Sequence, residues 1–135
     1  MAVIVHRGSA IEDRPCTIIG RFTALTATGD TSPIESEGKL IKQSDVSSIS
    51  CKVYDATNTL INTYTPTAAS NVFDTIQTTL SWLLLEDGGN FRYTIPASGF
   101  PTGGTVVRAE VTITLSDGSL ATGLWDIDVT ELRQS

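Results

Sequence analysis

The sequence predicts an all-β protein, an antiparallel two-sheet sandwich of about seven or eight strands. Three observations support this fold class. Thr, Ser, Val and Ile are abundant, which is typical of β proteins. Apolar and polar residues alternate over several short stretches, as expected of strands with one buried face. Turn-forming residues recur about every eight to twelve positions, which fits short strands better than helices.

The clearest element is a long β-hairpin towards the C-terminal end. Apolar side chains occupy every second position of residues 107–115, which gives the strand one dry and one wet face. Residues 116–119 (Ser-Asp-Gly-Ser) suit a tight turn. The returning strand places Trp125, Ile127 and Val129 on its dry face. That face needs a second sheet or a helix to cover it.

The N-terminal residues 1–15 are expected to form an arm, and residues 16–135 a single domain. Residues 3–5 could pair as an edge strand, but residues 7–9 and 12–15 interrupt any apolar pattern. An arm of this kind often docks on a neighbouring subunit, and a frayed terminus is the alternative.

Four further segments have the composition or alternation of strands, and turns separate them. The strands are residues 16–25, 49–53, 60–64 and 91–95; the turns are residues 43–45, with one short helical turn as the alternative, 55–58 and 86–90. Residues 26–38 are rich in Gly, Ser, Thr, Asp and Pro and predict the longest loop. Partner contacts or mobility are expected there.

Residues 70–85 fit two structures. Val72, Ile76 and Leu80 follow a helical spacing, and Ser70 would suit the N-cap. Residues 72–76 also read as a strand, and the several Thr residues nearby are poor helix formers. In a chain otherwise built of strands, we favour a strand, a turn and a buried run at residues 81–85.

Composition and charge exclude several classes of function. The net charge of −6, with no run of Lys or Arg, argues against binding to nucleic acid or anionic membranes. No segment resembles a signal peptide or a membrane span. Cys16 and Cys51 are expected to be reduced thiols. With His6 as the only histidine they cannot build a standard zinc site, and no cofactor is predicted.

No catalytic motif is present in the sequence. His6 is interpreted as a surface histidine that titrates near its ordinary pKa, and the loop carboxylates as solvated groups. Trp125 and Tyr93 alternate with aliphatic residues, so core packing is favoured over sugar stacking. Eight residues are predicted partner contacts, because they lie in the arm, in the long loop or out of phase with the core: His6, Arg7, Arg14, Asp30, Pro33, Glu35, Tyr54 and Tyr64.

Three stretches carry a family resemblance: LIKQSDVSSISCKVYD (residues 40–55), VFDTIQTTLSW (residues 72–82) and NFRYTIPASGFPTGGTVVRAEVTITLSDG (residues 90–118). Over roughly residues 40–130 the chain resembles small immunoglobulin-like proteins encoded among the structural genes of tailed bacteriophages and prophages. The resemblance implies an immunoglobulin-like sandwich and a non-enzymatic virion protein: a capsid decoration, neck or tail-associated protein. It assigns no functional residue.

The resemblance further implies contacts with other virion proteins of the capsid or tail and a homo-oligomer in the assembly. The protein would be made in the host cytoplasm and become part of the virion. A carbohydrate- or cell-surface-binding module of the same fold is the alternative, and it would need several aromatic side chains exposed together. An enzyme is the least favoured class.

Overall fold

The computed structural model describes residues 5–31, 38–79, 82, 85 and 88–132. These residues form mostly β structure. The strands are β1 (Val5–Ile11), β2 (Cys16–Gly20), β3 (Thr23–Ala24), β4 (Lys39–Leu40), β5 (Val46–Tyr54), β6 (Leu60–Tyr64), β7 (Val72–Gln77), β8 (Gly89–Ile95), β9 (Thr105–Leu115) and β10 (Leu120–Thr130). One helical turn, α1 (Ala68–Asn71), and two 3₁₀ turns (Gln43–Asp45 and Ala97–Gly99) complete them. No helix in these ranges is long and apolar enough to span a bilayer.

Two main sheets enclose one core. The larger has the order β1-β10-β9-β5-β6 and the smaller β2-β8-β7, while β3 and β4 form a short separate pair. Buried side chains from both sheets form a single apolar cluster, so the arrangement is sandwich-like. The prediction of a mostly β fold is therefore confirmed. Pairing is antiparallel throughout except between β1 and β10, which run parallel.

The predicted hairpin is confirmed as β9 and β10, joined by residues 116–119. Its register places Leu120 opposite Thr114 and Val129 opposite Thr105. Gly118 in the turn has φ +88°, which is why glycine suits that position. The apolar side chains of both strands alternate into the core as expected, with Trp125 only 3% exposed.

The segment around residues 70–85, whose sequence fits either a helix or a strand, contains one helical turn followed directly by a strand. Helix α1 is a single turn that begins after Thr67, not at Ser70, and Val72 already starts β7. The preferred prediction of a strand is confirmed, and Val72 lies in the core. Within the predicted buried run, the structure describes Trp82 and Leu85, and Trp82 is buried; residues 81, 83 and 84 lie outside the described residues.

The N-terminal segment differs from the predicted arm. Residues 5–11 are strand β1, which pairs along its whole length with β10, and Ala10 is buried in the core. The Glu12 carboxylate then accepts hydrogen bonds from the backbone N–H groups of Gly103 (3.2 Å) and Leu132 (3.0 Å). The prediction of a separate arm is wrong for residues 5–12, because main-chain pairing integrates them into the larger sheet.

A buried amide links β8 to the segments that follow β2 and β4. Asn90 is fully buried, and its side-chain oxygen accepts from Phe22 N–H at 2.7 Å. Its Nδ2 donates to the carbonyl oxygens of Phe22 and Ile41, both at 3.0 Å. One side chain thus bonds three backbone groups, of which the Phe22 carbonyl also accepts from Ile41 N–H at 3.2 Å. The predicted turn at residues 86–90 is wrong at Gly89 and Asn90, which already belong to β8.

Close packing around Trp125 depends on two glycines. A Cβ at Gly20 or Gly123 would lie 2.9 Å from an atom of the Trp125 ring, closer than carbon atoms approach. The ring also packs beside Phe22 and Phe91, and Trp125 Nε1–H donates to the Ile19 carbonyl at 3.0 Å. The indole is therefore both packed and hydrogen-bonded.

The two cysteines are buried and are not joined in a disulfide. Burial raises the pKa of Cys51 to about 12, and it raises the pKa of Cys16 as well. A thiol with a raised pKa is a poor nucleophile at neutral pH, so both cysteines act as small core residues.

The described part of the long loop is anchored to the domain. Ala27 is buried, and the Thr28 N–H and hydroxyl donate to the Asp45 carboxylate at 3.1 and 2.9 Å. Asp45 lies in the 3₁₀ turn Gln43–Asp45, which confirms the helical alternative for that turn. These hydrogen bonds and one from Lys42 N–H lower the pKa of Asp45 against the opposing effect of its burial.

Candidate interaction surface

The outer face of the larger sheet is the surface that gathers the most predicted contact residues. Because side chains alternate along a strand, residues flanking the buried ones point away from the core. On β1 these are Val5, Arg7, Ser9 and Ile11, all of which are exposed. We call this solvent-facing side of β1, β10, β9 and β5 the outer face.

A row of four side chains crosses the outer face at right angles to the strands. Arg7, Asp126, Arg108 and Tyr54 are neighbours in that order on β1, β10, β9 and β5. The row therefore contains two of the predicted contact residues, Arg7 and Tyr54. It places a carboxylate between two guanidinium groups.

The centre of this row is a two-point ion pair. Arg108 Nε donates to Asp126 Oδ1 at 2.9 Å and its NH2 group donates to Oδ2 at 3.3 Å. The Arg108 hydrogen bond, with a smaller contribution from the positive charge of Arg7, lowers the pKa of Asp126. The same hydrogen bond raises the pKa of Arg108. A fork-to-carboxylate geometry fixes both side chains and leaves Arg7 as the more adaptable cation of the row.

Exposed apolar side chains lie around this charged row. Val5 is 43% and Ile11 49% exposed, at the two ends of β1, and Val106 and Leu120 are exposed on β9 and β10. Leu124, beside Val5 in the register, is half-buried. The outer face therefore combines a fixed ion pair, a further cation and scattered exposed apolar side chains.

His6 faces the opposite way, towards the core. Its ring stacks on Trp125 with centroids 5.1 Å apart and planes 25° from parallel. Burial, and to a smaller extent the positive charge of Arg21, lowers the pKa of His6 below its ordinary value of 6.5. The prediction of an ordinary surface histidine is therefore wrong: His6 is a half-buried residue that packs as a neutral ring.

The remaining predicted contact residues do not join this surface. Arg14 and Asp30 are exposed, in the turn before β2 and in the loop before β4. Tyr64 packs against the core from β6, and its hydroxyl is 2.7 Å from the Ser98 hydroxyl. The other two predicted residues, Pro33 and Glu35, lie outside the described residues.

The pairing of Arg108 with Asp126 was not predicted from the sequence. A signal was present: the alternation of both strands puts Arg108 and Asp126 on the wet face, and the register that keeps the two wet faces together pairs Leu120 with Thr114 and Asp126 with Arg108. The interpretation of the acidic residues as solvated groups does not hold for Asp126, which pairs with Arg108. Arg7 offered no comparable signal, because its place beside Asp126 depends on the parallel pairing of β1.

A concave region lies at the end of the hairpin. It is a shallow pocket of about 150 Å³ lined by Thr26, Ser44, Asp45, Leu115, Ser116 and Asp117. Both of its carboxylates have internal partners: Asp45 as described, and Asp117 through the N–H and hydroxyl of Ser119. These hydrogen bonds lower the pKa of Asp117. The described ranges contain no group of three or more residues suited to metal binding.

The large aromatic side chains mostly lie inside the protein. Trp82, Trp125 and Phe100 are buried, which confirms the core interpretation of Trp125. Arg92 lies over Phe73 and Trp82, with its guanidinium carbon 5.3 and 5.6 Å from the ring centroids. Tyr54 is the half-buried aromatic residue that belongs to the outer face.

Comparisons with models of protein families and with curated protein sequences give no match for this chain.

Proposed function

We propose that this protein is a non-enzymatic structural or accessory protein of a tailed-phage particle that acts through protein–protein contacts. The outer face carries the proposal: a fixed ion pair, the adaptable Arg7 and exposed apolar side chains share one open sheet surface. Such a mixture suits a partner protein because charges give orientation while apolar side chains give area. The capsid, neck or tail is the proposed partner, on the family resemblance.

The strand order supports the immunoglobulin-like form of the fold. In immunoglobulin domains one sheet contains strands G, F and C, extended by C′, and the other contains B, E and D. Here β10, β9, β5 and β6 follow the first order, and β2, β8 and β7 follow the second. The three stretches that resemble phage proteins fall mainly on β5, β7, β8 and β9, which are framework strands.

The alternative, a carbohydrate-binding module, has less support. Sugar recognition on a sandwich would use aromatic rings that are exposed side by side. Trp82, Trp125 and Phe100 are buried, and Tyr64 packs against the core. Tyr54 alone would contribute stacking on the outer face, so we favour a protein partner.

Co-sedimentation with particles from the source tests the proposal. Wild-type protein should pellet with the particles, and Val106→Asp, which puts a charge on an exposed apolar position of the outer face, should abolish this. Leu25→Asp is the matched control, because Leu25 is 83% exposed but lies at the end of β3, outside that face. Absence of wild-type protein from particles would refute the proposal, and binding to a glycan array would favour the alternative.

A further inference from the structure

The free edge of β1 has the features of a self-association site. Within the described residues, strand β1 is at the end of the larger sheet and pairs with β10 on one side only. Glu12 N–H donates to the Thr130 carbonyl, so by strand alternation the backbone groups of His6, Gly8 and Ala10 also point towards β10. Those of Val5, Arg7, Ser9 and Ile11 consequently point away from the sheet. Open edges of this kind pair readily with another strand.

We propose that two copies of this chain form a two-fold dimer in which their β1 strands pair antiparallel, centred on Gly8. In this register Arg7 of one copy exchanges backbone hydrogen bonds with Ser9 of the other, and Val5 does so with Ile11. All the outward-pointing groups are then used in bonded pairs, with Gly8 opposite Gly8 at an unbonded position. The two larger sheets join into one continuous sheet with their outer faces on the same side.

The apolar side chains of β1 favour this register. Val5 and Ile11 lie at opposite ends of the strand on the same face, 43% and 49% exposed. Antiparallel pairing about Gly8 brings each beside the other in the second copy, twice by symmetry. Leu124, next to Val5 on β10, extends each apolar contact. A shift of the two-fold axis to Arg7 would put Arg7 beside Arg7, which like charges disfavour.

The charges of the outer face complement each other in the same register. Asp128 is the neighbour of Ser9 on β10 and is exposed. Its carboxylate makes no hydrogen bond or ion pair within the described part of the chain. Arg7 of the second copy would lie beside Ser9, two strand spacings, roughly 10 Å, from Asp128. The long arginine side chain can span that distance across the small serine. Two such Arg7–Asp128 pairs form in one dimer.

Two contacts already present on this edge are compatible with the pairing. The Ser9 carbonyl accepts a weak hydrogen bond from the Cys16 thiol at 3.6 Å, and the Ile11 carbonyl accepts from Arg14 N–H at 3.0 Å. A carbonyl oxygen has two acceptor sites, so each can accept a second hydrogen bond from the partner strand. The residues near the axis on the inner face are the small Gly8 and Ala10.

This inference deepens the proposed function, since it names the surface through which the chain would self-associate. The two are separable by experiment. A dimer that does not bind particles would support the β1–β1 dimer and refute the proposed function. A monomer that binds particles would support the proposed function and refute the dimer.

The test is size-exclusion chromatography with light scattering over a hundredfold range of protein concentration, on the full chain and its variants. The wild type should show a monomer–dimer equilibrium. Arg7→Glu and Asp128→Arg should each raise the dissociation constant roughly tenfold or more, because each reverses two charge pairs in the dimer. A 1:1 mixture of these two variants should restore dimers, since every cross pair is then of opposite sign.

Ser9→Pro provides a second, independent variant. It removes an outward N–H that β1 does not share with β10, so the monomer should remain folded while pairing is blocked. Its far-ultraviolet circular dichroism should match the wild type, and it should be monomeric at every concentration. A wild type that is monomeric throughout, or a dimer that Ser9→Pro and the charge reversals leave unchanged, would overturn the inference.

Discussion

On one side of β10 lies β9, its antiparallel partner, reached through the short turn at residues 116–119. On the other side lies β1, which runs parallel to β10 and is separated from it by more than one hundred residues of chain. Closing the first pair costs little chain entropy, whereas closing the second must await most of the fold. The same strand is therefore held by an early, local partner and by a late, distant one.

The side chains add to this difference. Strand β9 buries five residues with little or no exposure, from Val107 to Leu115. Strand β1 buries only Ala10, half-buries His6 and Gly8, and relies on its ladder and on Glu12. Elements with few buried apolar contacts open at a lower free energy than the rest of a domain. We expect β1 to detach while the hairpin remains formed.

Trp125 supports both sides of β10, so its removal should have the largest effect. Trp125→Ala deletes a buried ring that packs on His6, Phe22 and Phe91. The free energy of unfolding, measured by urea denaturation, should fall by about 3–5 kcal/mol. Thr122→Ala, on the outer face of the same strand, is the control and should cost under about 1 kcal/mol. Similar losses for the two variants would refute a core role for the ring.

Substitution of Glu12 should affect β1 and leave β9 unaffected, although both strands pair with β10. Glu12→Gln weakens the hydrogen bonds to Gly103 and Leu132 and should lower stability by about 1–2 kcal/mol, since bonds to a half-exposed carboxylate are partly screened. Amide hydrogen exchange should accelerate in β1 and stay unchanged in β9.

The control for Glu12 is Asp13→Asn. Asp13 has φ +57°, which Asn tolerates, and its side chain is exposed. It should leave both exchange and stability unchanged. Uniform acceleration across β1 and β9 in Glu12→Gln would mean that the two strands open together, which would contradict a separate opening of β1.

The turn of the hairpin should affect folding speed more than β1 does. Gly118→Ala forces a side chain onto a backbone with φ +88°, and no other atom lies near enough to obstruct its Cβ. The expected cost is about 1 kcal/mol. Most of it should appear as slower folding in a chevron plot, because the hairpin forms early. Gly118→Asn should lose less, and a purely faster unfolding rate would contradict early hairpin formation.

The smallest effect should come from His6 on β1, through the pH dependence of the free energy of unfolding. The pKa of His6 is lowered in the folded state, so protonation favours the unfolded chain. Stability should be fully present above pH 6.5 and decline as the pH falls below it. His6→Phe should flatten this decline. The low pKa of Asp126 acts only at more acidic pH, below its ordinary value of 3.8, so the two contributions are separable.

The contrast around β10 also explains what could be predicted from the sequence. The hairpin could be predicted because each strand is buried on one face and its turn residues lie next to it in sequence. Strand β1 could not be predicted, because an edge strand that contains Gly8 and Ser9 shows no clear alternation of apolar and polar residues. Its partner β10 is also distant in sequence. The arm was predicted from that lack of pattern.

Among the predicted contact residues, two have the exposure that their sequence position indicated. Arg7 was predicted as part of the arm and Tyr54 as out of phase with the core, and both lie on the outer face. Their contact role stays a prediction. His6 was misjudged because only the three-dimensional structure brings Trp125 beneath its ring. Asn90 was assigned to a turn from the composition of residues 86–90. Its three backbone partners come from segments about 50 and 70 residues earlier, which no local pattern reveals.

The parallel alignment of β1 and β10 has a mechanical consequence. Val5 lies beside Leu124 and Ile11 beside Thr130, so the chain enters this pair at one end of the sheet and leaves it at the other. A pulling force applied between Val5 and Thr130 would slide the two strands along each other and load all the hydrogen bonds between them at once. Rupture in that geometry must break them together, whereas peeling breaks them one at a time. The strand that opens most readily by thermal motion would thus act as a clamp against tension along the sheet.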